Sequence, residues 1–249
     1  MKEKTKNTVI FGKHPVVDAI QSGKPFEKVL LQNTSRSELF REMKALCKKF
    51  NIPLQVVPKE KLNRITSANH QGIIGLIAPV TFQKLDDILP WIYEKGETPL
   101  LLVLDGITDV RNFGSIARSA EVFGVHAIVF EARGNAQINA DAIKTSAGAL
   151  LKIPLCREKS ILQAIESLQM NGVEIFASDL RAKTPITDLD LTVPTAIIIG
   201  SEGRGVSPKV IKATDHSFII PQVGETDSLN VSVASGIILY ETQRQRKNR

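Results

Sequence analysis

Hydrophobic positions along this chain follow two spacings: short apolar runs, and longer stretches with an apolar residue every three or four positions. The two kinds of segment succeed one another almost throughout. In the first third the pattern predicts helices over Pro15–Ser22, Ser37–Phe50 and Lys59–Thr66. Strands fit Lys28–Gln32, Leu54–Val57 and Gly72–Ala78. From Pro99 the strands become nearly continuous aliphatic runs, at Leu100–Asp105, His126–Phe130, Val173–Ser178, Thr195–Gly200 and Ser217–Ile220. Helices are predicted between them over Phe113–Phe123, Ala140–Leu150, Ser160–Asn171 and Pro208–Ala213. Strands this apolar, separated by helices, imply an α/β fold with a mainly parallel sheet covered on both faces.

The final helix is predicted to begin near Ser228. Leu229, Val233 and Ile237 follow at four-residue steps with Ala234 and Ile238 beside them, the pattern of a buried helix. Its first turn nonetheless carries Ser228, Asn230 and Ser232. Small polar groups there either cap the helix or face a ligand. The basic end, Arg244–Arg249, is expected to fray.

Residues 80–97 break the pattern. They hold a short helical segment around Asp86–Glu94 and the punctuating Pro90, Gly96 and Pro99. The expected organisation is therefore a domain at 1–79, a linker at 80–97 and a domain at 98–249, a division that 249 residues accommodate.

Charge sharpens that division. Residues 1–79 hold 14 lysines and arginines against 6 aspartates and glutamates, residues 80–97 hold 2 against 4, and residues 98–249 hold 16 of each. The whole positive excess sits in the first third, where it is either a solvated basic surface or a footprint for a polyanion such as nucleic acid. No apolar run approaches the roughly 20 residues that span a bilayer. The first residues lack the apolar core of a secretory signal, so a cytoplasmic protein without membrane contact is expected. The two cysteines and four histidines show no metal-ligand spacing, and no metal is expected.

In open α/β sheets ligands collect beyond the carboxyl ends of the strands. Three of those ends carry unusual residues. After Leu100–Asp105 comes a turn with Asn112, which can cap the following helix, and Gly114, which permits close backbone approach; Arg118 lies further along the helix. Read alone, these are a cap and a surface arginine. After Thr195–Gly200 comes Ser-Glu-Gly-Arg-Gly, with Glu202 among glycines. Val206-Ser207 stands where a phosphate loop needs Lys-Ser/Thr, so a nucleotide triphosphatase is disfavoured. The third end is Ile220-Pro221, leading to Ser228 and Asn230.

Together Asn112-Phe-Gly-Ser-Ile-Ala-Arg118, Ile197-Ile-Ile-Gly-Ser-Glu-Gly-Arg-Gly205, and Ile220-Pro221 with Ser228-Leu-Asn-Val-Ser-Val-Ala234 resemble the three signature motifs of the SpoU branch of the SPOUT RNA methyltransferases. The resemblance covers roughly residues 98–245. It implies a trefoil-knotted α/β domain acting as a homodimer and transferring a methyl group from S-adenosylmethionine to a ribose 2′-hydroxyl. The first third resembles the ribosomal-protein-L30e-like substrate domain of many members. Its Phe11-Gly-Lys-His-Pro opening and His70-Gln-Gly-Ile73 segment are similar to the subgroup that methylates a guanosine in the peptidyl-transferase loop of 23S rRNA.

By the same resemblance Arg118, Asn112, Glu202, Ser228 and Asn230 are the catalytic candidates, and Gly200, Ile220 and Leu229 hold the cofactor largely through backbone. Arg118 matches the arginine proposed as base in the family. An arginine with pKa above about 12 is a poor proton acceptor, so binding a phosphate and stabilising oxyanion character suits it better. Asn112 would position the ribose or Arg118, Glu202 would anchor Arg118 or Asn112, and Ser228 and Asn230 would order the loop and hydrogen-bond substrate or cofactor. The remaining alternatives are a tRNA guanosine or 23S rRNA adenosine methyltransferase of the same branch, or a non-catalytic RNA-binding assembly protein.

Overall fold

The computed structural model describes residues 9–33, 38–224 and 228–247. The chain forms two compact units, one holding the chain up to Thr81 and the other most of the chain from Phe82 onward.

The first unit is built from β1 (Val9–Phe11), α1 (Lys13–Gln21), β2 (Phe26–Gln32), α2 (Glu38–Lys49), β3 (Leu54–Val57), α3 (Lys59–Asn63) and β4 (Ile73–Ile77). The four strands form a mixed sheet in the order β1-β4-β2-β3. Only β2 and β3 run parallel; β4 is antiparallel to both of its neighbours. Period-2 alternation sends Val29, Leu31 and Ile73 to one face, where they meet Val16, Ile20, Met43 and Cys47 of α1 and α2. Leu30, Val57 and Ile74 point the other way onto Leu62 of α3. Gly75 leaves room for the Phe26 ring, since a Cβ there would lie 2.3 Å from the ring edge. The expected helix and strand sequence of this unit is present, with the three-residue β1 added. Ser37, where the second helix was expected to begin, lies outside the described residues.

The second unit contains α4 (Leu85–Glu94), β5 (Leu100–Asp105), α5 (Val110–Val122), β6 (Ala127–Glu131), α6 (Ala140–Thr145), β7 (Leu155–Glu158), α7 (Ile161–Met170), β8 (Glu174–Ser178), β9 (Thr195–Gly200), α8 (Pro208–Ile211), β10 (His216–Phe218) and α9 (Val231–Lys247). Its six strands are ordered β10-β8-β9-β5-β6-β7, and every pairing is parallel. The sheet is the predicted parallel one, and β5 and β9 at its centre are buried along their length. From β5 the chain winds outward through β6 and β7, then crosses over to β8 and returns to β9. The β5–β9 junction is thus where strand order reverses, the place where parallel sheets open a crevice. Asp105 and Gly200 stand side by side at the carboxyl ends of these two strands.

Four departures from the expected elements have physical causes. Residues 80–97 are more than a connector: Leu85, Ile88, Leu89 and Ile92 of α4 enter the core against one sheet face with α7. The helix expected over Ala140–Leu150 stops at Thr145 and resumes as a 3₁₀ turn at Ala149–Leu151. Ala147 and Gly148 adopt left-handed backbone (φ 50° and 84°), which ends the helix.

The last helix starts at Val231, and its buried residues are Val231, Ser235, Ile238, Leu239, Glu241 and Thr242. Of the expected stripe, Leu229, Val233 and Ile237 are exposed (39%, 51% and 39%) and Ala234 is half-buried, while Ile238 is buried as expected; Tyr240, at 61%, extends the outward row. Finally, α9 continues to Lys247 rather than fraying at Arg244. The Arg246 guanidinium donates to the carbonyls of Leu191, Thr98, Pro99 and Val193 and fastens the helix end to the sheet.

Candidate active site

Three irregular segments meet beyond the carboxyl ends of β8, β9 and β10 and enclose a cleft of about 410 Å³. They are Ser178–Arg181, Ile199–Val206 and the stretch from Ile219 to Ala234, within which 225–227 lie outside the described residues.

The middle segment is shaped by glycine. A Cβ on Gly200 would fall 1.9 Å from the carbonyl carbon of Gly205 and 2.0 Å from the nitrogen of Val206, so the loop folds back directly over its own strand end. Gly203 and Gly205 take left-handed backbone (φ 81° and 66°) to make that return. The Gly205 amide donates to the Ser201 carbonyl at 2.8 Å, and the Ser207 amide donates to Asp105 Oδ2 at 2.8 Å. The end of β5 thereby clamps the loop that follows β9.

At the cleft rim Asn112 Nδ2 donates to Glu202 Oε2 at 3.0 Å. Asn230 Nδ2 donates to Asn112 Oδ1 at 3.3 Å and to Glu202 Oε1 at 3.4 Å. One residue from each of the three strand-end loops thus enters a single polar cluster. Of the two partners expected for Glu202, Asn112 is the one it takes.

Arg118 is outside this cluster. It sits six residues beyond Asn112 on α5, about 9 Å along the axis and a third of a turn round. It is exposed and has no hydrogen-bond or ion-pair partner among the described residues. The Arg118 guanidinium is therefore available to an anionic ligand.

Two capping assignments change. The N-cap of α5 is Asp109, whose Oδ1 accepts from the Asn112 amide at 2.7 Å, leaving the Asn112 side chain free for the cluster. The first turn of α9 is capped by Asn230, whose Oδ1 accepts from the Ser232 amide at 2.9 Å. Ser228 precedes the helix, is exposed, and lines the cleft.

Gly200, Ile220 and Leu229 all line the cleft. Among the described residues the main-chain groups of Ile220 and Leu229 form no hydrogen bond and are open to a ligand. The walls are otherwise apolar, including Ile199, Ile219 and Val231. The Arg181 guanidinium is held by Asp179 at 3.1 and 3.2 Å, which draws the Asp179 carboxyl below its usual range despite its partial burial. With that arginine neutralised, the exposed charged side chains left in the cleft lining are Arg204 and Glu202, of opposite sign.

In the first unit the two sequence segments at Phe11–Pro15 and His70–Ile73 are adjacent. The Gly12 amide donates to the Ile73 carbonyl at 3.2 Å and the Lys13 amide to Gln71 Oε1 at 3.0 Å. His70 is buried, bonded to Asn63 Oδ1 and accepting from the Gly72 amide, and serves the structure. His14, Gln71 and Asn69 are exposed. Among the described residues no group of three or more His, Cys, Asp or Glu could hold a metal, and no helix is long and apolar enough to cross a membrane.

Residues 99–240 match the family described as the SpoU rRNA Methylase family. The chain belongs to that family. It is an RNA methyltransferase with the SpoU-type parallel α/β fold. Residues 9–83 match the family described as RNA 2'-O ribose methyltransferase substrate binding. Among relatives, a Staphylococcus aureus (strain MSSA476) protein named for the TrmH family of tRNA/rRNA methyltransferases is 35% identical, over 97% of each chain. The SpoU methyltransferase AviRb of Streptomyces viridochromogenes is 25% identical with a TM-score of 0.61, over 96% of this chain and 90% of that one. The TrmH/SpoU tRNA modifying enzyme of A. aeolicus is 32% identical with a TM-score of 0.56, over 66% of this chain and 85% of its own.

Asp109 and Asp105 matter to the site and were not among the candidates, and Ser232 stood only among the polar groups of the last helix's first turn. Their signal was weak: an aspartate three residues before Asn112, and a serine two after Asn230, are ordinary capping patterns.

Proposed function

We propose that this protein transfers the methyl group of S-adenosylmethionine to a ribose 2′-hydroxyl of RNA, its preferred target a guanosine in the peptidyl-transferase loop of 23S rRNA. The observation that carries the proposal is the union of Asn112, Glu202 and Asn230 at the rim of an apolar cleft lined by unpaired backbone. Gly200, Ile220 and Leu229 would hold the cofactor, which when bound supplies an electrophilic methyl on a sulfonium. Asn112 and Glu202 orient the incoming ribose. Arg118, unpaired and exposed, binds a neighbouring phosphate and offsets charge on the attacking oxygen, with phosphate or water taking the proton. Ser228 borders the cleft opening.

The first unit supplies RNA affinity. Lys59, Lys61 and Arg64 lie exposed on or beside α3, in the part of the chain that carries the positive excess. A target in 23S rRNA draws support from the paired Phe11–Pro15 and His70–Ile73 segments. It also draws support from relatives that match across both units, while the tRNA-modifying enzyme matches two thirds of the chain. Such work belongs in the cytoplasm. The outward row Val233, Ile237 and Tyr240 is the surface on which two copies pair, so Val233→Glu should yield monomers in sedimentation velocity.

The deciding experiment incubates the protein with labelled S-adenosylmethionine and unmodified 23S rRNA or tRNA and maps the methylated position. Label on a ribose of 23S rRNA supports the proposal as stated; label on tRNA alone replaces the target. Label on a base, or none, overturns the chemistry. Arg118→Ala in the same assay should lose at least about a hundredfold in transfer with cofactor affinity nearly unchanged.

A further inference from the structure

A side-chain amide has four principal hydrogen-bonding positions, two N–H groups and two lone pairs on oxygen. In Asn230 all four are taken. Its Oδ1 accepts from the Ser232 amide at 2.9 Å and from Ser232 Oγ at 2.6 Å. Its Nδ2 donates to Asn112 Oδ1 at 3.3 Å and to Glu202 Oε1 at 3.4 Å. Asn112 differs: Nδ2 makes one bond, to Glu202 Oε2, and Oδ1 accepts one, from Asn230. Among the described residues, one N–H and one lone pair of Asn112 therefore remain open.

We infer that Asn230 is a positioning residue rather than a substrate contact, that Ser232 locks its amide in place, and that Asn112 presents the free donor to the RNA. The orientation of Asn230 has only one consistent solution. Turned over, its NH2 would face the Ser232 amide and hydroxyl, and its carbonyl would face the Asn112 carbonyl and the Glu202 carboxylate. Asn230 caps α9 through the same oxygen, which accepts from the Ser232 amide, so helix start and amide orientation are one device. The hydroxyl adds the shortest bond of the cluster, and its removal leaves the helix cap in place. Ser232 thus acts through Asn230 on Asn112 and Glu202, at no point touching the ligand itself.

This inference rests on the methyl transfer proposed above, and the test separates the two. Ser232→Ala and Ser232→Thr are compared with the unaltered full chain in single-turnover transfer to unmodified 23S rRNA, in cofactor affinity and in thermal midpoint. Solvent exchange of the Asn230 side-chain amide protons is followed by NMR, with signals assigned through Asn230→Ala. Ser232→Ala should slow transfer by about five- to tenfold, the loss of one hydrogen bond of ordinary net strength, while cofactor affinity stays within about twofold. Its Asn230 amide protons should exchange faster, and Ser232→Thr should restore most of both properties. Unchanged transfer with unchanged exchange would overturn the lock, as would a rate loss that merely follows lost cofactor binding or a lowered midpoint. If the unaltered chain transfers no methyl group, the functional proposal fails, and amide exchange alone then decides whether Ser232 holds Asn230.

Discussion

Asn112 and Glu202 lie 90 residues apart in the chain, yet Nδ2 of one donates to Oε2 of the other at 3.0 Å. Glu202 takes a second amide on its other oxygen, from Asn230 at 3.4 Å. Each carboxylate oxygen thus receives one N–H, so Glu202 aligns two amides. Glu202→Gln keeps the shape but turns one oxygen into a donor aimed at another donor. Hydrogen bonds to a charged group are worth about 1.5–3 kcal/mol, so transfer should fall roughly ten- to a hundredfold. The loss should appear in the turnover rate at saturating cofactor and RNA more than in either affinity.

Gly200 makes a sharper prediction because its neighbour is backbone. A methyl group there would overlap the peptide joining Gly205 to Val206, which cannot swing aside as a side chain would. Gly200→Ala must push the Ser201–Val206 loop off its strand, at a cost of about 3 kcal/mol or more. Calorimetry should register a midpoint lower by several degrees, with cofactor affinity reduced more than about tenfold. Gly236→Ala is the matched control. Its added carbon meets only Ser119 Oγ at 3.9 Å, and both midpoint and affinity should hold.

These two sites were legible in the sequence to different degrees. Asn112, Glu202 and Asn230 could be placed near one another because each follows an aliphatic strand, and strand ends of a parallel sheet converge on one edge. The choice of partner for Glu202 could not be made, since it depends on where Arg118 falls round α5. Ser228 and Asn230 are both good N-caps, and only the structure shows the helix beginning at Val231. Val231–Leu239 is apolar on nearly every side, so spacing alone does not separate the exposed Val233 and Ile237 from the buried Ile238 and Leu239. The strands β1 and β7, of three and four residues, are too short for periodicity to register. Arg246 looked like part of a frayed basic end because its four acceptors lie at residues 98–99 and 191–193.

Arg246 therefore carries its own prediction. Burial lowers its pKa to about 10, and at neutral pH it stays charged, its donors shared among four carbonyls at 2.8–3.0 Å. Arg246→Met would strand those carbonyls and should cost about 2–4 kcal/mol in urea unfolding. Arg246→Lys should recover little, because a single ammonium cannot span acceptors arranged around a planar fork. A lysine variant of full stability would show that charge, rather than the fork, holds the end of α9.

The two cysteines predict a pH dependence whose sign follows from burial. Cys47 and Cys156 are buried in separate cores, and desolvation pushes their thiols from 9.0 up to about 11 and about 12. Above about pH 9 the unfolded chain ionises its thiols while the folded chain keeps both protons. The folded state then binds more protons, so stability falls as pH rises from about 9 towards about 11 for Cys47 and about 12 for Cys156. Below pH 9 the thiols contribute no slope. Each can remove up to about 1.4 kcal/mol per pH unit within its window. Urea unfolding between pH 8 and 10.5 should show a steeper decline for the unaltered chain than for a Cys47→Ala/Cys156→Ala variant, the comparison removing what lysines and tyrosines contribute to both. At pH 8 a disulfide reagent should label neither thiol in the folded protein and both in urea. Labelling of the folded chain at the unfolded rate would mean that these cores open far more readily than their packing implies.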